Sequence, residues 1–302
     1  MKHRDLGELL ALAALWGASF LFMRVAAPEF GAIPLAGMRV LGATLVLLPI
    51  LAVRGEFHVL LAHWKPILIV GITNSALPFM CFGFALLYIT AGLTSIFNAA
   101  TPLFGAAIAW VWLKDRLSPA RTLGLLIGFA GVFGLAFSKA TLKQGAEGSS
   151  VILAILACLA ATLAYGFSAS FTKKYLTGVP PMVVAAGSQF GAALALIVPS
   201  IVLWPSHPPR AVAWLNVLML AVLCTGLAYV LFFRLIAHVG PANTITTNFL
   251  IPGFAVAWGA AFLGEIPTWQ MVAGCAVILF GTSLATGVLK PERLFSGRAP
   301  IR

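Results

Sequence analysis

Apolar residues run along this chain in long unbroken stretches, not in alternation with polar ones. Short polar breaks divide them into ten segments, at residues 8–26, 34–53, 66–89, 93–113, 120–138, 150–172, 181–204, 211–236, 241–263 and 268–288. Each is close to the roughly 20 residues that an apolar helix needs to cross a bilayer. Lipid satisfies no backbone polar group, so only helices or closed barrels span it. A barrel would alternate apolar and polar residues along each strand, which this chain does not do. The breaks carry turn-forming residues: Pro28 to Pro34, Ser118-Pro119, Gly145 to Gly148, Val179-Pro180-Pro181 and Ser206 to Pro209. The pattern predicts an all-α membrane protein of ten transmembrane helices.

Composition agrees. Of 302 residues, 61% are hydrophobic and 9% charged, with a mean hydropathy of +1.02. A soluble domain carries about 25% charged residues. The net charge of +11 is scattered over short loops. It forms no basic stripe with interleaved aromatics, so nucleic acid is not an expected partner. The charge reads as topology. Lys and Arg total fourteen on the side holding both chain ends, against five on the other (Arg24, Arg39, Lys139, Lys143 and Arg210). The positive-inside rule then places both termini in the cytoplasm of a bacterial inner membrane. The opening MKHRDLGELLALAALWGASF reads as the first span and not as a signal peptide, because its counterpart recurs in the second half. Cys81, Cys158, Cys224 and Cys275 lie within apolar runs without a CxxC pair. They read as small core residues, and no metal or cofactor is expected.

The chain aligns with itself. A shift of 150 residues places Gly37 on Gly187, Pro49 on Pro199, Trp64 on Trp214, Phe82 on Phe232, Asn98 on Asn248, Pro102 on Pro252, Asp115 on Glu265 and Gly131 on Gly281. A shift of 149 aligns Trp16 with Tyr165, Gly17 with Gly166, Ser19 with Ser168 and Arg24 with Lys173. Apolar composition alone would not match Pro, Gly, Trp and Asn in one register. Two five-helix repeats are expected, residues 1–145 and 146–302. An odd number of spans in each makes them inverted, an arrangement that places substrate near the midplane in many transporters.

WGASFLFMR in the first span, the proline-centred fourth, LKDRLSP after it, GEIPTWQ in the second copy and the glycine-spaced fifth and tenth spans resemble EamA-type members of the drug/metabolite transporter superfamily. Within it the chain is most similar to bacterial exporters of amino acids and related metabolites, including the aromatic amino acid exporter type. The resemblance implies a ten-helix basket whose central cavity opens alternately to each side. It leaves the substrate open.

The paired Asn-x-x-x-Pro motifs, Asn98 to Pro102 and Asn248 to Pro252, are the strongest local feature. Proline donates no hydrogen bond, so each frees the carbonyl of its own Asn. Each half would then offer a carboxamide and a bare carbonyl at mid-depth, with Pro102 and Pro252 as hinges. The alternative is that Asn bonds a neighbouring helix and Pro only bends its own. Trp16 with Ser19, and Tyr165 with Ser168, place an aromatic and a hydroxyl on one helical face. They line a cavity on one reading and pack on the other. Asn74, Tyr88, Thr101, Gln189 and Tyr229 are further candidates of this kind. Arg39 suits a substrate carboxylate, although snorkelling to the headgroups is the expected position for it, as for Arg24 and Arg234. The glycines Gly124, Gly128, Gly131, Gly274 and Gly281, with Gly187 and Gly191, read as helix contacts.

No Asp or Glu falls in mid-span, where proton-driven carriers usually keep a relay. Transport is therefore expected to run down a gradient without ion coupling, the alternative being coupling through a site that these residues do not mark. GASF at Gly17 and GFSAS at Gly166 lack the closing glycine of a serine nucleophile elbow. No HExxH, phosphate loop or carboxylate pair is present, so an enzyme is not expected. The expected function is a secondary transporter, active as a monomer, exporting amino acids or similar small zwitterionic amphiphiles. A broader drug or nucleoside exporter is the alternative.

Overall fold

The computed structural model describes residues 3–138, 148–244 and 246–289. The expected turn at Gly145, and Lys2, Lys139, Lys143, Lys290, Arg293, Arg298 and Arg302 of the charge count, lie outside them. The described residues form an all-helical bundle. Its spans are α1 (His3–Phe30), α2 (Ala32–Val53), α3 (Trp64–Gly71, Ile72–Ala76 and Leu77–Tyr88), α4 (Ala91–Asn98 and Thr101–Trp112), α5 (Pro119–Phe137), α6 (Gly148–Tyr175), α7 (Pro181–Val202), α8 (Ala211–Ala221, Val222–Leu227 and Ala228–Val239), α9 (Pro241–Thr244 and Thr247–Leu263) and α10 (Trp269–Ala285). A short helix, Phe57–Ala62, precedes α3. Eight spans are long and apolar enough to cross a bilayer unaided; Thr247–Leu263 and Trp269–Ala285 are shorter. A helix of 17 residues rises about 26 Å, a little under the hydrocarbon thickness of about 30 Å. Successive spans run in opposite directions, so α1 begins and α10 ends on one face. We call it the terminal face and its opposite the distal face.

Large apolar side chains cover the outside, among them Leu45, Phe137, Val202, Phe262 and Trp269, as a lipid-facing surface requires. Inside, the contacts repeat at the sequence offset. Helix α1 packs on α9 as α6 packs on α4, α1 on α8 as α6 on α3, while α2 pairs with α7 and α5 with α10. The close crossings fall on glycine. A Cβ at Gly17 would lie 2.7 Å from Phe254 Cβ, and one at Gly166 would lie 2.6 Å from the Gly105 nitrogen. The α5–α10 crossing brings backbones together: a Cβ at Gly124 would stand 2.7 Å from the Gly281 carbonyl oxygen. Gly191 likewise faces Leu68 of α3. These are the helix contacts expected from the small residues.

The ends of α4 and α9 close in the same way. Lys114 (φ 59°) and Gly264 (φ 65°) both take the left-handed conformation. The following amides then donate back, Asp115 N–H to Ala109 O at 3.2 Å and Glu265 N–H to Gly259 O at 3.1 Å. Each bond reaches back six positions across a left-handed residue and so closes the helix end. Ser118 and Thr268 cap the next helices, accepting from Arg121 N–H and Met271 N–H. All of these positions are paired by the 150-residue offset.

Candidate functional site

A cavity of about 350 Å³ lies at the centre of the bundle, walled by α1, α2, α3, α4, α6, α8 and α9. Of the candidate residues, Trp16, Ser19, Arg39, Asn74, Asn98, Thr101, Pro102, Tyr165, Tyr229 and Asn248 line it. Tyr88 packs against Phe84 and the apolar core, away from the cavity. Ser168 is buried off the wall, Gln189 lies one layer behind it, and Pro252 is buried within α9. Ser19 donates its hydroxyl to its own helix, at Trp16 O, 2.6 Å away.

Two features of the wall have no clear sequence signature. Residues Ile72–Ala76 of α3 and Val222–Leu227 of α8 are π-helical, and they coincide under the 150-residue offset. An inserted residue turns the helix out of its usual phase, which is why such turns recur at functional sites. Here they carry Asn74, Cys224 and Thr225 onto the wall. Thr225 Oγ1 donates to Leu220 O at 2.8 Å, occupying a carbonyl five residues back. The aromatic lining is also larger than expected, with Phe20, Phe79, Phe82 and Phe232 added. Phe82 and Phe232 were already paired in the self-alignment, a signal that each marks the same place in its half.

Arg39 is buried, at 5% exposure, and does not snorkel. Its Nε donates to Thr225 Oγ1 at 3.0 Å, Nη1 approaches Met23 Sδ at 3.5 Å, and the guanidinium lies 3.7 Å from the Phe79 ring centre. A hydroxyl and an aromatic face hold the ion in place of water, a cation–π contact that gains strength when desolvated. Gln189, the position 150 residues on, makes the matching bond, Nε2 to Ser75 Oγ at 2.7 Å, with Tyr229 OH at 3.5 Å where Arg39 has Phe79. Asn74 Nδ2 reaches the same phenol at 3.4 Å. Among the described lining residues Arg39 is the only charged side chain, and none is Asp, Glu or His.

The other two arginines expected to snorkel are paired as well. Arg24 meets Glu265, Nε to Oε1 at 3.2 Å, and Arg234 meets Glu8, Nη2 to Oε1 at 3.3 Å. A nearby acid is cheaper for a half-buried guanidinium than a reach to the headgroups. The four cysteines are free and at least partly buried, and no group of three metal-ligating side chains occurs among the described residues.

The two Asn-Pro segments differ. Span α4 breaks between Asn98 and Thr101, with Pro102 in the first turn of the new helix and Thr101 Oγ1 3.5 Å from Asn98 Oδ1. Span α9 runs unbroken through Pro252, its interruption lying before Thr247.

Comparison with known proteins fits this architecture. The sequence profile of the EamA-like transporter family matches residues 6–137 and again 152–287. The chain is 24% identical over 298 residues to "Uncharacterized transporter YvbV" of Bacillus subtilis, covering 97% of this chain and 94% of that one. It is 24% identical over 297 residues to "Uncharacterized inner membrane transporter YedA" of Escherichia coli K12, with 95% and 93% covered. It is 22% identical over 278 residues to "Probable terminal-alkyne amino-acid exporter" of Streptantibioticus cattleyicolor, with 91% of each covered. A protein of known crystal structure shares the fold at a TM-score of 0.64 and 19% identity, over 95% of this chain and 99% of that one. The two profile matches together cover most of the sequence, and the chain belongs to the EamA-like transporter family.

Proposed function

We propose that this multi-pass membrane transporter exports amino acids or similar small zwitterionic amphiphiles across the inner membrane by alternating access. The observation that carries the reading is Arg39, a buried guanidinium on the cavity wall with no acid among the described lining residues. Burying an unpaired charge is costly, and a substrate carboxylate would offset that cost while accepting a bidentate bond. The remaining wall suits the rest of such a molecule. Trp16, Phe82, Tyr165 and Phe232 offer ring faces to an apolar side chain or an ammonium group, and Asn98 and Asn248 offer carboxamides. The cavity is large enough for one such solute. That one relative bears the name of an amino-acid exporter agrees with this class.

The two five-helix halves, 1–145 and 146–302, would rock about the central site, with Pro102 and Pro252 as flexible points and both chain ends in the cytoplasm. The cycle needs one copy of the chain. With no titratable carboxylate or His on the described wall, it runs without proton coupling.

Counterflow in proteoliposomes tests the substrate class. Vesicles loaded with amino acids should accumulate labelled amino acid, while those loaded with amines or nucleosides should not. Arg39→Gln should weaken apparent affinity about 10- to 100-fold, the range expected for a lost hydrogen bond to a charged group. Exchange of nucleosides as fast as amino acids, unaffected by Arg39→Gln, would favour the drug or nucleoside exporter and end the carboxylate reading.

A further inference from the structure

Two ion pairs in this molecule are copies of each other. Arg24 and Lys173 coincide at the offset of 149, and Glu265 and Asp115 at 150. Each base sits late in the first helix of its half, and each acid follows the same left-handed turn at the end of α9 or α4. The pairs cross over. Arg24 of the first half holds Glu265 of the second at 3.2 Å, and Lys173 of the second holds Asp115 of the first at 2.7 Å. Because the spans alternate in direction, the first pair lies at the distal face and the second at the terminal face.

Their surroundings differ sharply. Around the Arg24–Glu265 pair, side-chain exposure is 13% and 12%; around Lys173–Asp115 it is 62% and 43%. The buried pair also grips the connector between α3 and α4. Arg24 Nη1 donates to the carbonyls of Leu86 and of Ile89, the latter at 2.8 Å, and Ala91 N–H donates to Glu265 Oε2 at 2.9 Å. With the connector held, every residue of α4 from Ala91 to Phe97 is buried, and this segment packs against α1, α6, α9 and α10. Among the described residues, the equivalent connector between α8 and α9 shows no such grip. The Val239 carbonyl, counterpart of Ile89 O, accepts instead from Asn243 Nδ2 at 2.8 Å. The segment Pro241–Thr244 packs chiefly on its own neighbour α8. Nearby, Ala169 of α6 is exposed while lining the cavity.

Equivalent sequences in unequal states are what one conformation of a two-state molecule looks like. On the alternating-access reading, we infer that Arg24–Glu265 and Lys173–Asp115 are reciprocal clamps that set which face of the transporter is shut. Each closes its face by capturing the connector of the α3–α4 or α8–α9 hairpin, and only one holds its hairpin at a time. Here the distal clamp is shut and the terminal one released. Closing the terminal clamp would bring Lys173 onto the Ile236 and Val239 carbonyls. The correspondence is incomplete at one donor, since Pro241 stands where Ala91 offers its N–H. The terminal clamp is thus the weaker of the two.

A thiol on the wall reads the state without any substrate. In a full-length chain with the four native cysteines replaced by alanine and Ala169→Cys added, a membrane-impermeant maleimide is applied from the terminal face. The parent should label readily. Glu265→Gln releases the distal clamp and should slow labelling about tenfold, the ratio expected for weakening a charge-assisted hydrogen-bond set. Asp115→Asn acts on the opposite clamp, so labelling should stay at or above the parent's while counterflow slows about tenfold. Both substitutions altering labelling in the same direction, or Glu265→Gln leaving it unchanged, overturns the clamps. Asp115 is exposed, so its variant tests the idea even where Glu265→Gln folds poorly. Labelling that shifts as expected in a protein exchanging no solute would leave the clamps standing and remove the transport reading. Counterflow with unshifted labelling would do the reverse.

Discussion

Arg39 and Gln189 stand 150 positions apart and do the same thing in opposite halves: each donates to the hydroxyl of a π-helical turn, Arg39 to Thr225 at 3.0 Å and Gln189 to Ser75 at 2.7 Å. The scaffold around the two side chains is the same, and the chemistry is not. One half presents a fixed positive charge where the other presents a neutral amide. Gln189 lies a layer behind the wall, on the lining Tyr229, so the fixed charge of Arg39 stands on one side of the cavity.

The hydroxyl of Thr225 has a positioning part in this arrangement. It fixes the direction of the Arg39 fork through Nε while donating to Leu220 O. Thr225→Val keeps the shape and removes both bonds. We expect a loss of about 1 kcal/mol, the usual net value of one hydrogen bond, seen as a roughly fivefold rise in the half-saturating substrate concentration with little change in maximal counterflow. Ser75→Ala in the other half should have a smaller effect, because Gln189 keeps its contact with Tyr229.

The crossings at Gly17 and Gly166 predict an effect on stability and not on recognition. A methyl at Gly166 would press into the backbone of Phe104 and Gly105, and one at Gly17 into Phe254 and Ala255. Gly166→Ala and Gly17→Ala should each cost about 1–3 kcal/mol, the range for overpacking a well-fitted interior. Thermal unfolding in detergent would reveal it. Gly7→Ala is the control: nothing lies within 4 Å of an added Cβ there, so its melting temperature should match the parent's or exceed it.

Much of this architecture was legible in the residues. Hydropathy marked ten spans, and matched Pro, Gly and Asn positions pointed to two related halves. Those signals are local, so one sequence carries them. What escaped depends on partners far along the chain. Whether Arg39 snorkels or stays buried is decided by Thr225 and Phe79, on other helices. The expected snorkelling of Arg24 failed because its acid lies at Glu265, on the far side of the sequence. The π-helical turns were invisible for a different reason: their hydrogen bonds shift by one residue without requiring any particular side chain. Ten of the candidate site residues came together on the cavity wall because polar and aromatic groups in mid-span have few other reasons to be there, whereas Tyr88 shows that packing is one of them.

Asn98 and Asn248 both reach the cavity, although their helices break at different places. If their carboxamides bind solute, Asn98→Ala and Asn248→Ala should each reduce apparent affinity about three- to tenfold, since each removes one neutral hydrogen bond. Asn98→Ala should do more, because it also releases Thr101 at the break in α4. Unchanged counterflow in both variants would reduce the Asn-Pro motifs to helix packing.

Arg39 is the only charged side chain on the described cavity wall, which holds no Asp, Glu or His. Glu8 and Glu265 are engaged by Arg234 and Arg24 toward the two ends of the bundle. On the uncoupled cycle proposed above, a pH gradient has no handle on transport. Proteoliposomes carrying a gradient of two pH units, with equal substrate on both sides, should accumulate nothing. Equilibrium exchange should be nearly flat between pH 6 and pH 8. Uphill accumulation on acidifying one side would require a titrating group in the transport path, and Glu265, freed from Arg24 when the distal clamp opens, would be the first residue to neutralise.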